Sequence, residues 1–302
     1  MAEHAVVIMG LPESGKTTFL AALWHLVTAR DSDIKTALRF DNLRSGGVAH
    51  LNGISARWRE ARVQDRTSVS DHRIVSMNLL DANGTSMKVT FPDLSGEVYR
   101  RMWEERDCEP EVVKTLNAEG VLLFIHADTI QRPRWVVDEA AFSKALDMAA
   151  RKEKAPEVAA QEKKDVPWHP GRAPTQVQLV DLLQLLCLPP LDVDIGPRRL
   201  AIMLSAWDKV GEEGLGPDDY LKEKLPLLGQ YLRSGADGWI WRVYGLSAQG
   251  GDYDDPEKPD VEPNPEAEKL RDLDRPSERI ELFQDSSTPS HDLTEPLAWL
   301  MK

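Results

Sequence analysis

Four residues near the start of the chain carry the clearest chemistry. Gly10, Gly15, Lys16 and Thr17 are spaced G-x-x-x-x-G-K-T within AVVIMGLPESGKTTFL. The two glycines permit backbone conformations and close approaches that a Cβ would block. A loop built this way lets successive N–H groups converge on an oxyanion, at the positive end of the helix that follows. Lys16 can reach the β- and γ-phosphates of a nucleoside triphosphate, and the Thr17 hydroxyl can ligate Mg²⁺. Glu13, Ser14 and Thr18 belong to the same loop and first turn and share in the cradle. The apolar run 5–9 reads as a buried strand. Residues 17–29 read as a helix, with Phe19, Leu20, Leu23, Leu26 and Val27 on one face and Trp24 and His25 packed beside it. Strand, loop and helix in that order are the context this phosphate-binding motif requires.

A second candidate lies at 93–97, D-L-S-G-E. Two strand-like runs, 72–81 and 86–92, flank Ala82-Asn83-Gly84-Thr85, and Asn-Gly between such runs is a strong hairpin signal. Asp93 then falls at the end of a strand, where a phosphate-loop fold needs its Mg²⁺-organising carboxylate. Gly96 offers a backbone N–H to a γ-phosphate. Taken alone, D-x-x-G is only a turn.

The remaining elements are those needed to hold these loops together. Residues 31–71 read as polar and irregular, with a helix-like ISARWREAR. A charged helix is predicted over 98–106, with a possible extension over 111–119. The run 120–128, GVLLFIHAD, lacks alternation and fits a central parallel strand. Residues 133–198 exceed what one crossover helix needs. They read as a helical insertion, with helices over 136–154 and 175–188. A strand within 198–210 runs into Ser205-Ala206-Trp207-Asp208, a helix follows over 217–233, and a strand over 239–247 runs into Ser247-Ala248. Residues 252–291 are acidic and Pro-rich and read as a long solvated loop or disorder. Residues 293–302 are apolar enough for a short terminal helix. The expectation is one α/β domain over 1–302: a three-layer phosphate-loop fold, its central sheet mostly parallel with one antiparallel hairpin strand, and helices on both faces.

GLPESGKT, DLSG, SAWD and Ser-Ala, in this order on successive strand ends, resemble the P-loop GTPases of the Ras-like and translation-factor class. The resemblance implies GTP or GDP with Mg²⁺ as ligands. It implies that Asp208 accepts hydrogen bonds from guanine and that the Ala248 N–H meets the guanine oxygen. Where that class has N/T-K-x-D, this chain has Ser205 and Ala206, so the Lys stem that stacks on the base is missing. Trp207 has two readings, a cover for the base or a core residue. Thr67 is the candidate switch threonine for Mg²⁺, and a solvated loop position is its other reading. Arg66, or Arg62, is a candidate cis arginine for transition-state charge, with a surface arginine as the alternative. Glu97 stands where Ras-like enzymes orient the attacking water with Gln. An ionised carboxylate accepts but cannot donate, and phosphates repel it. Slow intrinsic hydrolysis, accelerated by a partner, is expected. GLPESGKTTFLAALW followed by FPDLSGE is similar, more narrowly, to the double-GTPase families of bacterial conflict and phage-defence gene clusters. That implies protein partners in a signalling or defence complex, as a homo- or hetero-oligomer.

Composition excludes several classes. A net charge of −13 argues against nucleic acid and anionic membrane as partners. Cys108 and Cys187 make no disulfide framework, the seven His are scattered, and no apolar run can span a bilayer. The N-terminus has no signal-peptide pattern, and a reducing cytoplasm is expected. Three functions stay open on sequence alone: a hydrolysing GTPase switch, a non-hydrolysing nucleotide-binding scaffold, and an ATP-using P-loop enzyme.

Overall fold

The first apolar run forms β1 (His4–Gly10). Val6 and Ile8 enter one core and Val7 and Met9 another, on opposite faces of the sheet. A strand covered on both sides has no polar face to show, which is why its sequence does not alternate. The computed structural model describes residues 4–29, 34–45, 47–64, 73–93, 96–133, 170–189, 191, 197–211, 214–255, 264–284 and 288–302, with the backbone alone for 4, 73, 92, 93, 96, 97, 111 and 171.

The elements follow in chain order. After β1 come α1 (Lys16–Thr28), β2 (Arg39–Ser45), α2 (Val48–Arg59), β3 (Arg73–Leu80) and β4 (Ser86–Asp93). Then come α3 (Gly96–Glu105), α4 (Pro110–Leu116), β5 (Gly120–His126), α5 (Thr175–Leu185) and β6 (Arg199–Ser205). The chain closes with α6 (Pro217–Lys224), α7 (Pro226–Ser234), β7 (Ile240–Ser247), α8 (Pro265–Arg271), β8 (Glu281–Phe283) and α9 (Glu295–Leu300). The strands form one sheet in the order β2-β3-β4-β1-β5-β6-β7-β8. β4, β1, β5, β6 and β7 pair in parallel, while β3 runs against β2 and β4, and β8 against β7. Helices α1, α2, α8 and α9 cover one face, around Phe19, Leu23, Trp58 and Leu297. Helices α3 to α7 cover the other, around Tyr99, Leu116, Leu182 and Leu221.

Several expectations need correction. Two strands among the described residues, β3 and β8, oppose the rest, not one. Residues 31–71 are not all irregular: they hold β2 and a helix that starts before ISARWREAR. The helix expected over 217–233 is two, because Pro226 lacks an N–H and Leu225 leaves helical geometry with φ −127° and ψ 53°. Residues 111–119 form no extension of α3: α4 is a separate helix with proline at its start. Within 252–291 the expectation of a solvated loop fails for the described part. Here α8 buries Ala267 and Leu270, and β8 adds a strand to the sheet. The helix expected over 136–154 lies outside the described residues. Trp24 and His25 do pack at the α1–α2 seam: Trp24 Nε1 donates to Asn52 Oδ1 at 2.9 Å, and the His25 ring lies 5.2 Å from that of Trp58.

Candidate nucleotide site

The loop between β1 and α1 is shaped by its glycines. Gly10 has φ +157°, and a Cβ there would lie 2.6 Å from both the Phe124 carbonyl oxygen and Ser14 Oγ. Gly15 is left-handed (φ 86°, ψ 8°), and no side chain caps the start of α1. The helix therefore offers its first N–H groups to an oxyanion instead of to a serine or aspartate. Glu13 is left-handed as well, with φ 59°. Lys16 folds back across the loop: its Nζ donates to Gly10 O and Leu11 O, both at 2.8 Å, and to Ser14 Oγ at 3.1 Å. An ammonium held by neutral acceptors can exchange them for phosphate oxygens, which bind it more strongly. Below it, the Tyr99 ring centroid lies 5.9 Å from Nζ, and the Tyr99 hydroxyl donates to Ile8 O at 2.9 Å. Burial pushes the Tyr99 phenol far up, so it remains a protonated donor.

The sheet register brings the distant motifs to the same edge. Gly10 pairs with Phe124, His126 with Ser205, and Ser205 with Leu246. Thr90 sits opposite Val7, so Asp93 is level with Gly10, each three residues further on. A cavity of about 300 Å³ is lined by Gly15, Thr18, Ser205, Ala206, Asp208 and Ala248, together with His126, Asp128, Lys209 and Asp252. The phosphate-loop residues and the candidate base acceptor Asp208 thus share one cleft, although 192 residues separate Lys16 from Asp208. Lys209 pairs with Asp252 at this cleft, which holds its ammonium pKa above the usual value.

The site residues expected from sequence divide as follows. Gly10, Ser14, Gly15 and Lys16 form the closed loop, and Thr17 and Thr18 are half-buried in the first turn of α1. Asp208 and Ala248 line the cleft. Ser247 stands behind it: it is 1% exposed, and its Oγ accepts from Gly250 N at 3.1 Å, shaping the turn after β7. Gly96 opens α3. The side chains of Asp93 and Glu97, and the whole of Arg66 and Thr67, lie outside the described residues. Arg62 pairs with Glu60 at 3.2 Å. Trp207 is a core residue and not a base cover. It is 5% exposed, stacks edge-on against Tyr220 at 5.4 Å, and fills the space a Cβ on Gly245 would need, 2.5 Å from its ring.

Sequence reasoning missed three supports. Ser205 Oγ donates to Ser14 O at 2.9 Å and approaches Ile125 O at 3.3 Å, tying the loop after β6 to the phosphate loop. The SAWD spelling therefore loses the Lys but keeps a tether in its first residue. Ala206 takes a left-handed φ of 54°, which turns the chain sharply before Asp208. Trp58 Nε1 donates to Ala248 O at 2.8 Å, bracing the turn after β7 from α2. A hydroxyl in the family's amide position was the available signal for the first; the second is a backbone conformation that alanine does not advertise, and the third is a tertiary contact with no local signature. Thr17 lies at the open start of α1, and the Asp93 backbone is level with Gly10 at the same edge of the sheet.

A family model described as Double-GTPase 1 matches residues 7–300. No curated protein sequence matches the chain. Among solved structures, the Arl6 BBS3 small GTPase from Trypanosoma brucei is 12% identical, with 83% of this chain and 90% of that chain covered and a TM-score of 0.35. The S. cerevisiae Ski7 GTPase-like domain bound to GTP is 10% identical over 82% of this chain and 43% of that one, TM-score 0.36. The bacterial selenocysteine-specific elongation factor EF-Sec is 13% identical over 83% of this chain, TM-score 0.33, and the present chain spans 27% of its length. No helix among the described residues is long and apolar enough to cross a membrane.

Proposed function

Because the chain belongs to the Double-GTPase 1 family, we propose that it is a Mg²⁺-dependent GTPase switch that relays a signal to protein partners in the cytoplasm, within a bacterial defence system. Its α/β sheet flanked by helices is the P-loop GTPase fold. One observation supports the reading above the others: an uncapped, glycine-shaped phosphate loop and a carboxylate from the far end of the chain, Asp208, open on a single cleft.

The roles follow from chemistry. Backbone N–H groups of residues 13–18 bind the phosphates, and Lys16 leaves its loop carbonyls to neutralise the β- and γ-phosphates. Asp208 accepts from the guanine N–H groups, while the Ala248 N–H meets the guanine carbonyl oxygen. Thr17, Thr67 and waters held by Asp93 would hold Mg²⁺, which supplies charge neutralisation between the phosphates. The Gly96 N–H senses the γ-phosphate, and Glu97 positions the attacking water. As an ionised group beside phosphates, Glu97 orients water poorly, so hydrolysis is slow until a partner assists. Arg66 is the cis candidate for transition-state charge. Glu97 also favours a second reading, a nucleotide-binding module that never turns over.

Titration with GTP, GDP and ATP, with and without Mg²⁺, tests the core of the proposal. Guanine nucleotides are expected to bind more tightly than ATP, and Asp208→Asn to shift preference toward xanthine nucleotides. Equal binding of ATP and GTP removes the guanine assignment. A multiple-turnover assay with candidate partners then separates the two readings: nucleotide that stays intact in every combination favours the non-hydrolysing module.

A further inference from the structure

A second cavity, of about 350 Å³, lies on the β2-β3-β4 side of β1, away from the β5, β6 and β7 strand ends that line the nucleotide cleft. It is lined by Ala5 and Val6 at the start of β1, by residues of β2, β3 and β4, and by Lys114, Thr115, Asn117 and Ala118 around the end of α4. The two cavities share no lining residue.

The chemistry of this groove is unlike that of the core behind it. On the packed face, β3 and β4 present Val75, Met77, Leu79, Met87, Val89 and Phe91. On the groove face, the same strands present Ser76, Lys88 and Thr90, with Asn78 alongside. Arg44, Lys88 and Lys114 bring three cations to the groove, and no carboxylate stands among its described lining residues, on a chain of net charge −13. Arg44 is oriented by its Nε bond to Asn78 Oδ1 at 3.0 Å. Ser76 is only 3% exposed, yet its Oγ has no hydrogen-bond partner, and the Asn117 side-chain oxygen is likewise buried and unpartnered. A buried polar atom without a partner costs stability, so its retention in a strand interior asks for a ligand that completes it.

The donor set defines that ligand. Two ammonium groups, a guanidinium and a serine hydroxyl suit the oxygens of a phosphate. The Asn117 amide needs a further partner, and a hydroxyl can serve either end of an amide as donor or acceptor. We propose that this groove is a second ligand site, for a small phosphate monoester that also carries hydroxyl groups, the chemistry of a sugar phosphate. Its walls come from β1, β2, β3 and β4 and the end of α4. β4 runs on to Asp93, so occupancy of the groove bears on the strand that carries the candidate Mg²⁺ carboxylate.

Calorimetric titration of ribose 5-phosphate into protein saturated with GDP and Mg²⁺ tests this, because the saturated cleft cannot account for the signal. Saturable one-to-one binding is expected, weakened about tenfold or more by Lys88→Gln and by Lys114→Gln, each with GDP affinity unchanged. Ser76→Ala is expected to weaken binding while raising the melting temperature of the ligand-free protein, since it deletes an unpartnered polar atom. Absence of saturable binding overturns the proposal, as does binding indifferent to both lysine variants. Equal affinity for inorganic phosphate, or for ribose lacking phosphate, also overturns it, and a polyglutamate peptide binding in preference would assign the groove to an acidic protein partner instead.

Discussion

At the scale of single residues, the site depends on two kinds of contact, space left empty and carbonyls held. Gly10 leaves space. A methyl group there would meet the Phe124 backbone oxygen at 2.6 Å, and backbone cannot swing aside as a side chain does. Gly10→Ala is expected to destabilise the protein by about 1–3 kcal/mol and to open the phosphate loop. Thermal unfolding and GDP titration together check this; unchanged melting and unchanged affinity would show that the loop relaxes freely. Ser205 holds a carbonyl. Its hydroxyl joins the turn before Asp208 to Ser14, and the serine is buried at 6% exposure. Ser205→Ala leaves Ser14 O without this donor, at about 1–3 kcal/mol for a buried group. Because that carbonyl belongs to the phosphate loop, the loss should fall on nucleotide binding, lowering GDP affinity about tenfold. A variant that loses melting temperature but keeps GDP affinity would make Ser205 a packing residue only.

Between elements, the segment after α2 is clamped to the segment after β7. Val63 N donates to Asp254 O at 2.9 Å, and Asp254 N donates to Ala61 O at 3.0 Å. The Asp254 carboxylate accepts from Asn264 N at 2.7 Å and pairs with Arg271, which also donates to Glu60 O at 2.7 Å. The Asn264 N–H, then Arg271, hold its carboxyl below the ordinary value of 3.8. A carboxyl depressed in the fold contributes stability above its unfolded pKa and loses it as pH falls through the folded one. Amide exchange at 61–63 in the native protein is therefore expected to stay slow down to pH 3.8 and to rise below it, relative to the exchange intrinsic to each pH. In Asp254→Asn it should be fast already at neutral pH, with no acid step; hydrogen-exchange mass spectrometry reads both, and matching profiles would sink the clamp. These same elements show what was legible in the sequence. The 86–92 strand and its Asn-Gly turn were plain, because local turn chemistry and a buried face agree. β2 was not, since its RFDNLRS burial follows no two-residue period and the strand lies at the edge of the sheet. β8 is three residues long, and α8 buries only Ala267 and Leu270, so both depend on tertiary contact. In the site, the motif residues with fixed spacing were legible, and the braces Ser205, Tyr99 and Trp58 were not, because each acts on a partner far along the chain.

Across the whole molecule, the two ends of a bound nucleotide would be gripped by loops on different strands, and Trp58 joins one grip to the segment leading into residues 65–72. Its indole N–H reaches Ala248 O, 190 residues away. Its own carbonyl accepts from Arg279 Nη1 at 2.9 Å, and the Arg279 guanidinium lies 4.3 Å from its ring. α2, the turn after β7 and the turn before β8 are thus one block, while the phosphate loop is tied by Ser205 to the loop after β6. Trp58→Phe keeps an aromatic ring under Arg279 and deletes the indole donor that reaches Ala248. Ala248 O then loses its partner, at about 1 kcal/mol net, and the base loop loosens. The expected result is a fall of about five- to tenfold in GDP affinity with pyrophosphate affinity unchanged, because pyrophosphate touches only the phosphate loop. Parallel calorimetric titrations measure the two, and a melting curve guards against general loss of fold. If both ligands weaken together, Trp58 acts through global stability; if neither does, the two grips are independent and α2 plays no part in holding the base.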